Sequence, residues 1–191
     1  MKHEEFPTGD PAAGMTERTL GPNSQELFKQ GMRRLAAGVS IVTTMQDDRP
    51  YGFAATSVTS VSAEPDAILL VCVSKSVSCR DAILKSGFFC VSVLGEGDAQ
   101  TARLFSSPQH RSRRFENTEW EIMSTGAPAL KNALANFDCR IRETVEVQTH
   151  SVLFGEVREI RLRGREIRPL LYVNGYYDGL RSALAGDQEE R

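Results

Sequence analysis

Two stretches of hydroxylated side chains hold most of the chemistry this sequence offers. In Ala54-Ala55-Thr56-Ser57-Val58-Thr59-Ser60-Val61-Ser62, Thr56, Ser57, Thr59, Ser60 and Ser62 crowd a segment with strand-like alternation. As an isolated segment this would be a solvated strand face. Hydroxyls, small side chains and available backbone N–H groups are also what a flat heteroaromatic ring with carbonyl and phosphate oxygens needs. The second set, Ser74-Lys75-Ser76-Val77-Ser78, opens a predicted helix, where unpaired N–H groups and the helix dipole favour a phosphate. Together they point to a phosphorylated ring cofactor.

Other chemistries find little support. Only His3, His110 and His150 are available as imidazole bases, and there is no G-x-S-x-G elbow for a nucleophilic serine. The cysteines, Cys72, Cys79, Cys90 and Cys139, form no C-x-x-C pair, which suits neither a zinc site nor a disulfide framework and reads as reduced, buried thiols. Gly95-Glu96-Gly97-Asp98-Ala99-Gln100 begins like a dinucleotide fingerprint but lacks its last glycine, and reads as a strand exit before a helix.

The elements that must position these groups follow from periodicity. Residues 1–23, with three Gly, three Pro and a net charge of -2, read as a tail, and a capping residue at Asn23 or Ser24 starts the folded domain, expected over 24–182 with 183–191 as a second tail. Leu27, Phe28, Met32 and Leu35 predict an amphipathic helix ended by Gly38. From Val39 the period falls to two: strand Val39 to Met45, a turn at Asp47-Asp48-Arg49-Pro50, and a returning strand Tyr51 to Ser62. Strands Ala67 to Val73 and Phe88 to Leu94 flank a short helix near Cys79 to Lys85, and another helix is expected near Gln100 to Phe105. Residues 106–118, with Arg111, Arg113 and Arg114, read as a solvated surface loop. Leu134 to Ile141, Thr144 to Thr149, Val152 to Ile160 and Pro169 to Val173 complete the strands. Many short strands with few helices predict a mainly β protein, a barrel with peripheral helices.

The 191 residues suit one domain, and 23 Lys and Arg against 25 Asp and Glu leave a net charge of -2, which argues against nucleic acid or anionic lipid as partner. No apolar run is long enough to span a bilayer, and residues 1–23 lack the apolar core of a signal peptide, so a cytoplasmic location is expected.

The runs Gly38-Val39-Ser40-Ile41-Val42-Thr43-Thr44, Tyr51 through Ser62 and Phe88-Phe89-Cys90-Val91-Ser92-Val93-Leu94 resemble the short-chain flavin reductase family. Ala102-Arg103-Leu104-Phe105, Phe115 with Trp120, Gly126 through Leu130, His150 before Phe154-Gly155-Glu156-Val157, and Pro169 through Tyr172 with Tyr177 follow in that family's order, over about residues 25–180. The resemblance implies an FMN-binding split β-barrel of Greek-key-like topology, a homodimer, that uses NADH or NADPH to reduce FMN or FAD and hands the reduced flavin to a separate flavin-dependent monooxygenase. Hydride transfer between two stacked rings asks for few acid–base groups, which agrees with their scarcity here.

By that resemblance Ala55, Thr56, Ser57, Val58 and Thr59 line the isoalloxazine and ribityl chain, and Ser74, Lys75, Ser78 and Cys79 approach the phosphate. Ser92 stands where the family has Asn, with Leu94 beside it, and both belong to the implied cofactor set. His150 aligns with the histidine of a G-D-H signature, here Gln148-Thr149-His150, and is assigned to the nicotinamide; Tyr177 is assigned to ring stacking. The functional alternative to a solvated loop at Arg111, Arg113 and Arg114 is the pyrophosphate of NAD(P)H or the adenylate half of FAD. The rival readings are a flavoprotein passing electrons to another acceptor, a non-catalytic flavin-binding sensor or carrier on the same barrel, and a protein-interaction domain without flavin.

Overall fold

Alternation from Ser40 onward translates into strands whose inward residues are Val and Ile and whose pairing is antiparallel throughout. A computed structural model describes residues 21, 24–164 and 167–179. The chain divides into two compact units, residues 1–32 and 33–191. In the first, Ser24–Met32 form helix α1, none of whose residues is buried. The helix stops short of the expected Gly38: Ala37–Gly38 are strand β1 instead, because their backbone pairs with Leu171 and Tyr172.

The second unit is built around a seven-stranded sheet. Its strands are β2 (Ser40–Gln46), β3 (Arg49–Ala55), β4 (Val58–Ser62), β5 (Ile68–Ser74), β6 (Phe88–Val93), β9 (Ala135–Val147) and β10 (His150–Leu162). Helices α2 (Arg80–Ser86) and α3 (Ala99–Ser106) flank it, β7 (Trp120–Ile122) and β8 (Pro128–Leu130) form a separate hairpin, and β11 (Leu171–Val173) and β12 (Tyr176–Asp178) join β1. The short strands β7, β8 and β12 carry too few alternating residues to stand out in the sequence. Conversely, the two strands expected over 134–149 are the single long β9.

The order β3-β2-β6-β9-β10-β5-β4 places β3 and β4 at opposite edges of the sheet. Only Thr56 and Ser57 separate them in sequence, so Ala55 and Val58 lie at most about 11 Å apart. The sheet must therefore roll until its edges face one another, and it stays open between them. The expected continuous strand Tyr51 to Ser62 is thus two strands that meet across the split, and the hydroxyl-rich stretch is the crossing. Asp47 and Asp48, with φ of 51° and 57°, make the two-residue turn of the β2–β3 hairpin, which leaves Arg49 and Pro50 in β3. Pro50 is tolerated there because β3 is an edge strand.

Inside the roll, Val42, Phe53, Val71, Val73, Ile83, Phe89, Val91 and Leu153 form one apolar core. Successive residues of a strand face opposite sides, so Val39 and Ile41 join a second core with Leu94, Ala102, Phe105, Leu130 and Leu170 under α3. Phe115 and Trp120 extend this core, their rings packing on Phe105 at 5.2 and 5.6 Å. The thiols are free: Cys79, Cys90 and Cys139 are buried and Cys72 is half-buried.

Candidate functional site

The residues at the split open onto a cleft of about 480 Å³. Its floor is the end of β3, with Ala54, Ala55 and Thr56, and its far wall is Tyr172, Gly175 and Tyr177 from the β11–β12 hairpin. Asn174 and Gly175 take φ of 51° and 89° in the turn of that hairpin, which holds Tyr177 beside Tyr172, ring centroids 5.3 Å apart. The third wall is α3. Ala102 and Phe105 anchor this helix in the core, so that Arg103 and Ser106 project from its exposed side into the cleft. Tyr177 Oη and Ser106 Oγ are 3.0 Å apart, and the Arg103 guanidinium lies 5.7 Å from the Tyr177 ring. Small residues below and a tyrosine to one side suit a flat ring.

Ala54 and Ser106 also line a second cavity, of about 300 Å³, further back along β3. Its walls include Ser76, Val77 and Ser78 before α2, and Arg111 and Arg114. Arg114 is 8% exposed and is no part of a solvated loop. Its guanidinium donates to the carbonyls of Gly52 (2.6 Å), Ser107 (3.0 Å) and Leu104 (3.4 Å), and lies 5.7 Å from the Phe105 ring. Gly52 also lets the Phe105 ring of α3 lie close on β3, since a Cβ there would stand 2.9 Å from Phe105 Cε1 and 2.8 Å from the Val42 carbonyl oxygen. Among the described residues neither Arg111 nor Arg114 forms an ion pair. Two cations face this cavity without a carboxylate, a donor set that fits a phosphate.

The structure distributes the predicted residues unevenly. It brings together Ala55, Thr56 and Tyr177 in the cleft, and Ser78 in the second cavity. Ser57 Oγ is engaged with the backbone of Cys72, donating to its carbonyl at 3.1 Å and accepting from its N–H at 3.3 Å, which ties the crossing to β5. Val58 packs against the inner core and Thr59 is exposed on β4. Ser74 Oγ lies 2.9 Å from Ser76 Oγ within its loop. Lys75 is turned away from the cavity by Glu146, at 2.9 Å. Glu146 also takes Arg80 and the Ser151 hydroxyl, each at 2.8 Å, and its hydrogen bond from Lys75, foremost, holds its carboxyl down at about 2. Cys79 is buried, and burial pushes its thiol up to about 12, so it stays neutral. Ser92 and Leu94 lie in the interior with no exposed surface, and Ser92 Oγ accepts the Leu130 N–H.

His150 starts β10 after the two-residue turn Gln148-Thr149, in which Gln148 takes a φ of 49°. It is exposed, pairs with Ser74 across β5, and its Nδ1 lies 2.9 Å from Thr149 Oγ1. It lines neither cavity. Sequence reasoning did not single out Arg103 and Ser106 for binding, and it expected Arg111 and Arg114 on a solvated loop, with a pyrophosphate or adenylate contact as the alternative. The signal for the last two was the basic run 111–114 itself, read as solvated because burial of Arg114 depends on residues some sixty positions earlier in the chain.

A model of the flavin reductase like domain matches residues 32–181. The chain is 43% identical over 166 residues to the FMN reductase (NADH) RutF of Ancylobacter novellus, over 87% of this chain and 88% of that protein. It is similar to the structure of nitrilotriacetate monooxygenase component B from Mycobacterium thermoresistibile, with a TM-score of 0.80 and 30% identity over 87% of this chain and 92% of that one. It is similar also to BorF, the flavin reductase component of a bacterial two-component tryptophan halogenase, with a TM-score of 0.75 and 30% identity over 82% and 98%. The family match, the sequence relatives and the structural neighbours agree along the span that builds the rolled sheet and its split, and this chain belongs to the flavin reductase family.

Proposed function

We propose that the chain transfers hydride from NADH to a flavin nucleotide whose ring lies in the cleft at the split and whose phosphate meets Arg111 and Arg114. The observation that carries this reading is the continuity of a ring-sized cleft with a carboxylate-free pair of arginines along one edge strand. When bound, the flavin supplies the acceptor, N5, for the hydride of the nicotinamide. The chain's own residues bind and orient: Ala55 and Thr56 support one ring face, Tyr177 limits the cleft, and Ser76, Ser78 and the two arginines receive the phosphate. Hydride transfer requires no general base, and no His, Asp or Glu is among the described residues that line the cleft. Reduced flavin then passes to a separate monooxygenase, a partner supported by the neighbour named as a nitrilotriacetate monooxygenase component, while BorF is the flavin reductase component of a two-component halogenase.

A homodimer is supported by one face of the sheet. Leu70, Cys72, Val152 and Phe154 lie side by side on the outer face of β5 and β10, half-buried, with Val145 exposed beside them. His150 stands on this same face. A second copy covering it accounts both for the apolar surface and for a nicotinamide role of a histidine that lies outside its own chain's cleft.

Anaerobic bleaching of flavin absorbance by NADH tests the activity, and light scattering on the same sample tests the dimer. His150→Ala is expected to raise the KM for NADH roughly tenfold and leave the KM for FMN unchanged. Equal kinetics for mutant and wild type would remove His150 from the site, and bound flavin that NADH never bleaches would overturn the reductase reading.

A further inference from the structure

One cation of the cleft has no role in phosphate binding. Arg103 is the only charged side chain among the described residues that line the cleft, and among the described residues it forms no ion pair. Its place is set by its surroundings. Ala102 and Phe105 are buried on the other side of α3, and the Tyr177 ring, fixed through its hydroxyl 3.0 Å from Ser106 Oγ, lies 5.7 Å from the guanidinium. The remaining walls are small, hydroxylated or aromatic side chains, so no carboxylate among the described lining residues cancels the field of this arginine.

Hydride transfer creates the charge that such a group can meet. The hydride carries two electrons with its proton: NADH leaves as NAD+, the N5–H bond forms on the flavin, and the neutral oxidised ring becomes an anion, so that atoms and charge balance without a further reactant. We propose that Arg103 stabilises the negative charge that the ring gains on reduction, and so binds reduced flavin in preference to oxidised flavin. The proposal rests on the placement of the ring in the cleft and adds an electrostatic role to it. The phosphate has Arg111 and Arg114 in the second cavity, and it carries the same charge before and after the reaction. Only the ring changes charge, and Arg103 is the cation that lines the ring's cleft. By linkage, a residue that favours the reduced form raises the reduction potential of the bound flavin by the same factor.

The test compares wild type, Arg103→Gln and Arg103→Lys by anaerobic titration with oxidised and with chemically reduced FMN, and by the midpoint potential of bound FMN. Arg103 is exposed, so its replacement leaves the core intact. Arg103→Gln is expected to weaken the binding of reduced FMN roughly tenfold and to leave oxidised FMN unchanged, which lowers the potential of the bound two-electron couple by about 30 mV. Arg103→Lys keeps the charge and is expected to recover most of that potential. Equal weakening of both forms, an unchanged potential, or a lysine variant shifted as far as the glutamine variant would overturn the proposal. A raised KM for NADH with both flavin affinities unchanged would overturn it too, by giving the guanidinium to the donor. Thr56→Trp separates these failures from failure of the ring placement: it fills the cleft from an exposed position and should weaken both forms of FMN. If both bind it as they bind wild type, the ring lies elsewhere and the role of Arg103 falls with it.

Discussion

Arg114→Met is expected to lower the melting temperature by roughly 10 °C and to erase the preference for FMN over riboflavin. The guanidinium holds the carbonyls of Gly52, Leu104 and Ser107 at a point where α3, the following loop and the edge strand β3 converge. A methionine of similar length refills the space but donates nothing, and stranding buried carbonyls costs about 1–3 kcal/mol each. Solvent reaches part of this deficit, so a total of about 3–5 kcal/mol is expected. The loss of a charge-assisted contact to phosphate should raise the Kd for FMN roughly 10- to 100-fold while leaving riboflavin unaffected. Arg114→Lys provides the internal control: it keeps the charge and loses the planar fork, so part of the FMN affinity should return without the stability. An Arg114→Met protein that melts like wild type, or one that binds FMN and riboflavin with unchanged relative affinity, would refute this account.

Gly155→Ala is expected to destabilise the fold by about 3 kcal/mol without direct contact with the cleft. Gly155 lies on β10 at a shift of register with β9, and its Cα faces the buried Phe89 ring across the inside of the roll. A Cβ there would run into Phe89 Cζ and stand 2.9 Å from Phe89 Cε1 and 3.0 Å from Cys139 Cβ. Phe89 is fully enclosed by the inner core and has no free volume into which to swing, so either β10 or β6 must move. Phe89→Leu in the same chain should recover part of the loss by vacating the space that the new methyl needs, a coupling that a double-mutant cycle reads directly. Denaturant melts showing Gly155→Ala within about 0.5 kcal/mol of wild type, the size of a neutral surface change, would show that the contact relaxes freely.

Much of the framework was legible because the interactions responsible for it are local or periodic. The alternation of Val39 to Met45 and Phe88 to Leu94 reports a face that must be buried, and these strands, like the two short helices, appear within a residue or two of the expected bounds. The hydroxyl-rich stretch lies at the crossing, where Ala54, Ala55 and Thr56 line the cleft and Ser57 bonds to β5. The helix expected up to Gly38 fails for the opposite reason: Ala37 and Gly38 find a strand partner at Leu171 and Tyr172, more than 130 positions away, and local propensity yields to that pairing.

What the sequence by itself determined, then, was the class of fold and the family resemblance, since these depend on residue types in consecutive order; of the segment Thr56–Thr59, Thr56 lines the cleft while Ser57, Val58 and Thr59 turn to β5, the inner core and solvent. What only the tertiary structure decided was where that segment stands: Tyr51 to Ser62 breaks into the two opposite edges of one rolled sheet, because seven strands close the distance that two residues must bridge. The same rolling sends Ser92 and Leu94 into the interior, draws Lys75 onto Glu146, and buries Arg114 against carbonyls supplied from Gly52 to Ser107. A side chain's charge is written in the sequence, but its partners are chosen by long-range packing, and here that packing pairs Lys75 with Glu146 and leaves Arg111 and Arg114 facing the second cavity.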